Sequence, residues 1–209
     1  MGTTSATIGE RRLNPDRRMT AVVKHEAGYD QALEGLSYNK NQLPENMDRV
    51  IKYLAPKDYG HNKSLEAIYL WVSVRGTRKF WVEADTYRVG TSKQSQSTVH
   101  CILKRPLVQE DFSTVIPPAW IDYLNKLRED RNFVRLTDLL PHAYLQKRMW
   151  VFNYKFLRNM IIQREKHPLV EWQIFLSSVL KQIKHPELLP GNVEWMEKQI
   201  VEKLEKETF

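Results

Sequence analysis

The amino-acid sequence predicts an α+β fold, rich in helix with one small antiparallel or mixed sheet, and three observations carry that prediction. Residues 68–74 alternate, with Leu70, Val72 and Val74 on one face and Tyr69, Trp71 and Ser73 on the other. Period two with β-branched and aromatic residues is the pattern of a strand. Beyond Pro118, apolar residues recur at helical spacing in one stretch after another, as a helix with one buried face requires. Proline and glycine cut the chain into pieces of ordinary length at Pro56, Gly76, Pro141, Pro168, Pro186 and Pro190-Gly191.

Taken in order, residues 1–19 hold Arg11, Arg12, Arg17 and Arg18 with no apolar run. They predict a flexible basic arm rather than a secretory signal, followed by a single domain over 20–209. Thr20 to Lys24 is β-prone and is expected to open the sheet. Asp30 to Leu36 predicts a short helix that ends at Ser37-Tyr38-Asn39-Lys40. Leu43 to Asn46 is a turn. Met47, Val50, Ile51 and Leu54 then mark an amphipathic helix stopped by Pro56. The strand at 68–74 follows, broken at Gly76-Thr77, and Phe80, Ala84 and Tyr87 set a helix that reaches Arg88. Residues 89–99 are small and polar and predict a loop. His100 to Leu103 predicts a short strand, and Pro106 to Pro118 a loop. The remainder is expected to be mostly helical, at 121–127, 133–140, 154–164, 170–184 and from Val193 onward, the last capped by Asn192.

Length and composition bound the function. A chain of 209 residues is one ordinary domain, long enough to bury a real core. Hydrophobic residues at 42% and charged residues at 27% exclude a disordered chain. A net charge of +7 favours anionic partners: nucleotides, DNA or RNA. The single cysteine, Cys101, excludes an internal disulfide, gives no zinc set, and suits a reducing, cytoplasmic location. No apolar run approaches the roughly 20 residues of a membrane span.

Three segments together resemble the flavin-dependent thymidylate synthases. Gly60 to Val99 lays without a gap on that family's middle segment, which reads Gly-His, Glu, an aromatic strand, a helix, and then Arg-His-Arg-x-x-Ser-x-Asn-Glu-x-Ser-x-Arg-Tyr. Gly60, His61 and Glu66 match, and within the signature only Arg88 matches. Thr86 and Tyr87 stand in place of the first Arg and the His. Thr91 replaces Ser, and Lys93, Gln94, Gln96, Thr98 and Val99 replace Asn, Glu, Ser, Arg and Tyr. Leu140, Pro141, Trp150, Asn153, Asn159 and Arg164 fall in place in the second segment, with Val170 to Ile174 resembling Ala-Gln-Trp-Glu-Ile after one inserted residue. Leu36-Ser37-Tyr38 resembles the early Val-Ser-Phe/Tyr.

The resemblance implies a homotetramer in which FAD lies at the subunit interface, and reduced flavin relays a one-carbon unit from methylenetetrahydrofolate to C5 of dUMP. A reduced nicotinamide is the implied reductant. The protein's part is then to position flavin and nucleotide. The residues it implies for flavin are Ser37, His61, Glu66, Arg88, Val89, Asn153, Lys155 and Asn159. Those it implies for the pyrimidine nucleotide are Glu83, Gln94, Ser95, Gln96, Thr98 and Arg164. Arg88 and Arg164 are the surviving guanidiniums, suited to forked bonds with phosphate or carbonyl edges, and the implied catalytic pair. Lys155 replaces an Arg and keeps charge without the fork. Loss of Arg at 86 and 98 and of the hydroxyl at 96 predicts weak thymidylate synthesis or a changed substrate. The +7 charge and the arm keep open a pyrimidine within DNA, and a non-catalytic flavin- or nucleotide-binding protein is the other alternative. Tyr69, Trp71, Trp81 and Tyr87 are placed by default in the core rather than against a ring ligand.

Overall fold

The computed structural model describes residues 18–206. Arg11, Arg12 and Arg17 lie outside the described residues, while Met19 is buried in the main core.

Four antiparallel strands form one sheet in the order β1-β2-β4-β3: β1 Thr20–Ala27, β2 Tyr69–Thr77, β3 Thr91–Ser95 and β4 Leu145–Asn153. The alternation of β2 holds: Leu70, Val72 and Val74 are fully buried. The register sets Leu70 opposite Phe152 and Val72 opposite Trp150, so one face of both central strands is apolar. That face is covered by α3 (Arg78–Ala84), α7 (Tyr154–Arg164) and α8 (Val170–Leu180). Phe80, Trp81, Trp150, Phe152, Trp172 and Phe175 make the centre of the core, in the tilted and edge-to-face contacts that aromatic rings prefer. The other face carries Trp71, Met149 and Val151, each only partly buried, and Tyr69, which is exposed.

Helices α1 (Tyr29–Lys40) and α2 (Asp48–Leu54) follow β1, with a 3₁₀ turn at Pro44–Met47 between them. A second, separate core lies in the segment between β3 and β4. Here α4 (Thr98–Ile102), α5 (Pro118–Glu129) and α6 (Phe133–Asp138) bury Ile102, Phe112, Leu124, Leu136 and Leu140. The C-terminal α9 (Val193–Lys206) packs on α8, and the amide of Trp195 donates to Asn192 Oδ1 as an N-cap should.

Several expectations are corrected. The first helix does not stop at Leu36; it runs through Ser37–Lys40 and ends on Asn41 in the left-handed region. The Phe80 helix is shorter than expected, 78–84, and leaves Tyr87 and Arg88 outside it. Residues 91–95 are a strand, not a loop. Residues 100–102 are helix, not strand, because the Ser97 hydroxyl caps the His100 amide. The segment 145–153, given no element of its own within a stretch expected to be mostly helical, is a central strand. The sequence masks it because Gln146, Lys147 and Arg148 fill its first half, and Arg148 is neutralised by Asp85, which lies far off in sequence.

Candidate functional site

The residues singled out in the sequence separate into two regions. The first is a cleft between α1 and the segment 59–67. Helix α1 offers Ala32, Gly35, Leu36, Asn39 and Lys40, spaced at three and four residues, so they share one face. Across from them, Tyr59 and Gly60 are consecutive left-handed residues, φ +56° and +87°. They turn the chain so that His61, Lys63 and Ser64 line the opposite wall. Arg158 on α7 fixes the approach to this turn, with Nη1 2.9 Å from Asp58 and Nη2 donating to the Pro56 carbonyl at 2.8 Å. Behind the turn, Asn62 is fully buried and its Oδ1 accepts from Lys155 Nζ.

The cleft measures about 540 Å³, within the range of small-molecule sites. Leu36, Leu54 and Ala67 supply apolar wall, Lys40 and Lys63 supply cations, and His61 supplies an imidazole. Among the described residues, no Asp or Glu lines it. The Ser64 hydroxyl is buried and has no hydrogen-bond partner.

Of the residues implied for flavin, His61 is in this cleft. Ser37 is not: it sits on α1 but is buried, and its hydroxyl donates to the Glu34 carbonyl at 2.7 Å. Asn153 caps α7, accepting from the Phe156 amide at 2.9 Å. Lys155 lies 3.8 Å from the Glu66 carboxylate, and Asn159 is exposed one turn further along α7.

The second region surrounds Tyr87. Its hydroxyl donates to Gln163 Oε1 at 2.7 Å and accepts from Arg164 Nε at 3.0 Å. The Arg164 guanidinium also lies over the rings of Tyr87 and Trp172 and 3.7 Å from Glu83. Glu83 Oε2 accepts from Trp172 Nε1 at 3.0 Å and faces His167 Nε2 at 3.3 Å. The Leu169 amide donates to His167 Nδ1, which assigns the imidazole proton to Nε2. Burial holds the His167 imidazole below its ordinary range, against the pull of Glu83. Arg88 is exposed and borders a shallow depression of about 400 Å³ with Asp85, Thr91 and Lys93. Val89 beside it is exposed as well.

The polar run 91–98 is tied to the sheet. Thr91 donates to the Val151 carbonyl and accepts from Trp150 Nε1. Lys93 donates to the carbonyls of Ala84 and Tyr87 at 2.8 Å and stands 3.5 Å from Asp85. Burial lowers its pKa from the ordinary lysine range. Gln96 Oε1 accepts from the Lys147 amide and Thr98 Oγ1 from Gln146. Gln94 and Ser95 are exposed on the edge strand. Thr98 lines a different cleft, about 470 Å³, between α3 and the second core. Trp81 is in the core as expected, while Trp71 and Tyr69 lie on the uncovered sheet face. Lys40, Lys63, Ser64 and His167 were not anticipated. The only signal for Lys40 was its place four residues after Leu36 on the helix that carries Ala32.

No known family profile and no curated protein sequence matches the chain. Solved structures do. One is thymidylate synthase X (ThyX) from Helicobacter pylori with FAD and dUMP, 18% identical, covering 82% of this chain and 97% of its own, with a TM-score of 0.65. A second structure, of the flavin-dependent thymidylate synthase ThyX from the same organism complexed with FAD and dUMP, is 17% identical, covers 81% and 97%, and gives a TM-score of 0.68. The fold is that of the flavin-dependent thymidylate synthases.

Proposed function

We propose that the protein is a flavin-binding transferase of this fold, which attaches a one-carbon unit at C5 of a deoxyuridylate-like pyrimidine nucleotide, with its substrate or reaction shifted from that of its structural neighbours. The observation that carries the reading is the cleft at His61. It has the volume of a ligand site, apolar wall, cations and no carboxylate. FAD carries a broad apolar ring system and a diphosphate, and that donor set fits both. Bound there, the flavin would supply the redox and carbon-carrying chemistry.

The chain's own residues bind and orient. His61 stands at the cleft wall to contact the flavin. Arg88, exposed beside Tyr87, is available to a phosphate or a pyrimidine carbonyl. Arg164 is pre-oriented by Tyr87 and Glu83, and its Nη2, which has no hydrogen bond among the described residues, would offer its donors to a pyrimidine edge. The uncovered sheet face with Tyr69, Trp71, Met149 and Val151 supports assembly into a homotetramer, since apolar area of this kind is normally covered by a partner.

Titration with FAD, followed by quenching of flavin fluorescence, tests the reading. Saturation in the micromolar to sub-millimolar range is expected, with weak dTMP formation from dUMP, methylenetetrahydrofolate and a reduced nicotinamide. No quenching at millimolar protein would leave a non-catalytic protein on the same fold. Robust dTMP formation would show that the losses at 86, 96 and 98 are compensated. A second reading, a pyrimidine within DNA, is favoured by the +7 charge. Binding of duplex or single-stranded DNA at about 0.15 M salt without binding of dUMP would select it.

A further inference from the structure

We infer that the Gln182 side chain is a plug on the outer edge of β1, and that the edge behind it is a pairing surface for β1 of a second copy of this chain. The side-chain amide stands where an added strand would bond and keeps the two copies apart. The inference does not rest on the flavin reading.

The two edges of the sheet pose the problem. Strands β1 and β3 are the outer strands, and among the described residues no further strand pairs with either. Such an edge offers a row of backbone donors and acceptors to any other chain. Strand β3, TSKQS, is polar throughout. Strand β1 is protected in its second half only. That half carries Lys24 and Glu26, and its pairing with β2 is broken by a register shift between Val23 and His25. Charge and a bulge both discourage strand addition. The first half, Thr20-Ala21-Val22-Val23, is uncharged, in continuous register with β2, and leaves Val22 42% exposed. It is also the same surface on every copy, so two copies related by a two-fold axis would meet with like edges, as a self-complementary contact requires.

Gln182 closes this first half. It lies just past the end of α8, which packs along β1. Its Oε1 accepts from the Val23 amide at 3.1 Å, and its Nε2 donates to the Ala21 carbonyl at 2.9 Å. These are outward-facing backbone groups on either side of Val22, the ones an added strand would use. The second Nε2 proton goes to the Ser178 carbonyl at 2.6 Å. That fixes the amide, because turned over its oxygen would face two carbonyls. Further along, the Lys184 amide donates to Glu26 Oε2 at 2.7 Å and carries the closure past the bulge. Gln182 is itself exposed, so water competes for its bonds. Its main effect is to occupy the edge rather than to hold the fold together.

Sedimentation velocity of the full chain, with hydrogen–deuterium exchange of the peptide that contains β1, tests the inference. As concentration rises, Gln182→Ala is expected to give a species of at least twice the mass of the wild-type assembly, with thermal midpoint and flavin titration as in the wild type. Exchange at β1 should be faster than wild type in dilute solution and slow again as the larger species forms. Val23→Pro removes the outward amide and takes no bond from β2, since that amide points to Gln182. Proline is accepted at edge positions of this kind. Added to Gln182→Ala, it should return the mass to that of the wild type. Val22→Lys places a charge on the same edge and should do likewise, which keeps the test intact if the proline variant does not fold.

A Gln182→Ala protein that keeps the wild-type mass at every concentration, with β1 exchanging faster throughout, would make Gln182 only a tie between α8 and β1, and the inference is overturned. Association that survives Val22→Lys and a folded Val23→Pro overturns it too, because the contact then lies away from the β1 edge.

Discussion

The His61 cleft and the strand β3 share the same kinds of polar residue, serine, lysine and side-chain amides, yet the structure treats them oppositely. In β3 and the residues after it, Thr91, Lys93, Gln96 and Thr98 are all engaged by the protein itself. In the cleft, among the described residues, the Ser64 hydroxyl is buried and unpartnered and the ammoniums of Lys40 and Lys63 have no carboxylate. Composition therefore does not separate a ligand wall from an edge strand. What separates them is whether folding has already satisfied the donors. An edge strand rich in polar side chains and lysine is a known way to keep a sheet from pairing with other chains, and that accounts for TSKQS without any ligand.

The comparison can be broken by substitution, and the largest expected effect is at the centre of the sheet. Trp150 is fully buried, donates to Thr91 and lies under Lys93. Trp150→Ala is expected to cost about 3–5 kcal/mol in urea unfolding and to release β3 with it. A loss below about 1 kcal/mol would mean that β3 is held by something else and its polar groups are free for a ligand.

A smaller effect is expected at Asp85. It pairs with Arg148 and Lys93, whose side chains are only 14% and 12% exposed, while its own is 48% exposed. Asp85→Ala leaves two largely buried cations without their carboxylate. Discounted for solvent screening, the cost is about 1–2 kcal/mol, read as a lower unfolding midpoint with flavin affinity unchanged. A change in FAD affinity instead would join the two regions into one site.

Gln96→Ala and Thr98→Ala should each cost under about 1 kcal/mol, the worth of one neutral hydrogen bond. Neither should alter dUMP binding. A tenfold loss of dUMP affinity at an unchanged midpoint would return these side chains to the nucleotide site.

The smallest effect is a pH dependence at His167, where Glu83 favours the charged imidazole while burial, Arg164 and Lys203 oppose it. Its folded pKa is lowered, so the unfolded chain takes up the proton first as pH falls. Stability contributed by neutral His167 is present above about pH 6.5, the ordinary imidazole value, and declines as pH falls through the window below it. The slope should vanish in His167→Gln when the two proteins are compared by thermal melting between pH 5 and pH 7.

Much of the fold was legible. Strand β2 and helices α5, α7 and α9 follow directly from alternation and helical spacing, and Asn192 is the cap its position predicts. The missed elements share a cause. Strand β4 is polar over its first half because its partners, Asp85 and the edge strand, come from more than fifty residues away. Helix α1 outran its predicted end because Ser37 satisfies its hydroxyl on the helix's own backbone, as serine can within a helix. At the site, His61 was legible from its motif, but Ser64 and the lysines were not. A lysine without a partner and one with a partner are the same letter.

The sequence by itself determined the periodic elements, the buried faces they share, the excess of positive charge and the frame of residues that resembles the flavin-dependent thymidylate synthases. Those properties are local or additive along the chain. Only the tertiary structure decided which polar groups remain available. Hydrogen-bond satisfaction depends on what a distant strand or turn brings within about 3 Å. That is why Ser37, Lys93, Gln96 and Thr98 are committed to the fold while Lys40 and Lys63 stand exposed on the walls of a cleft.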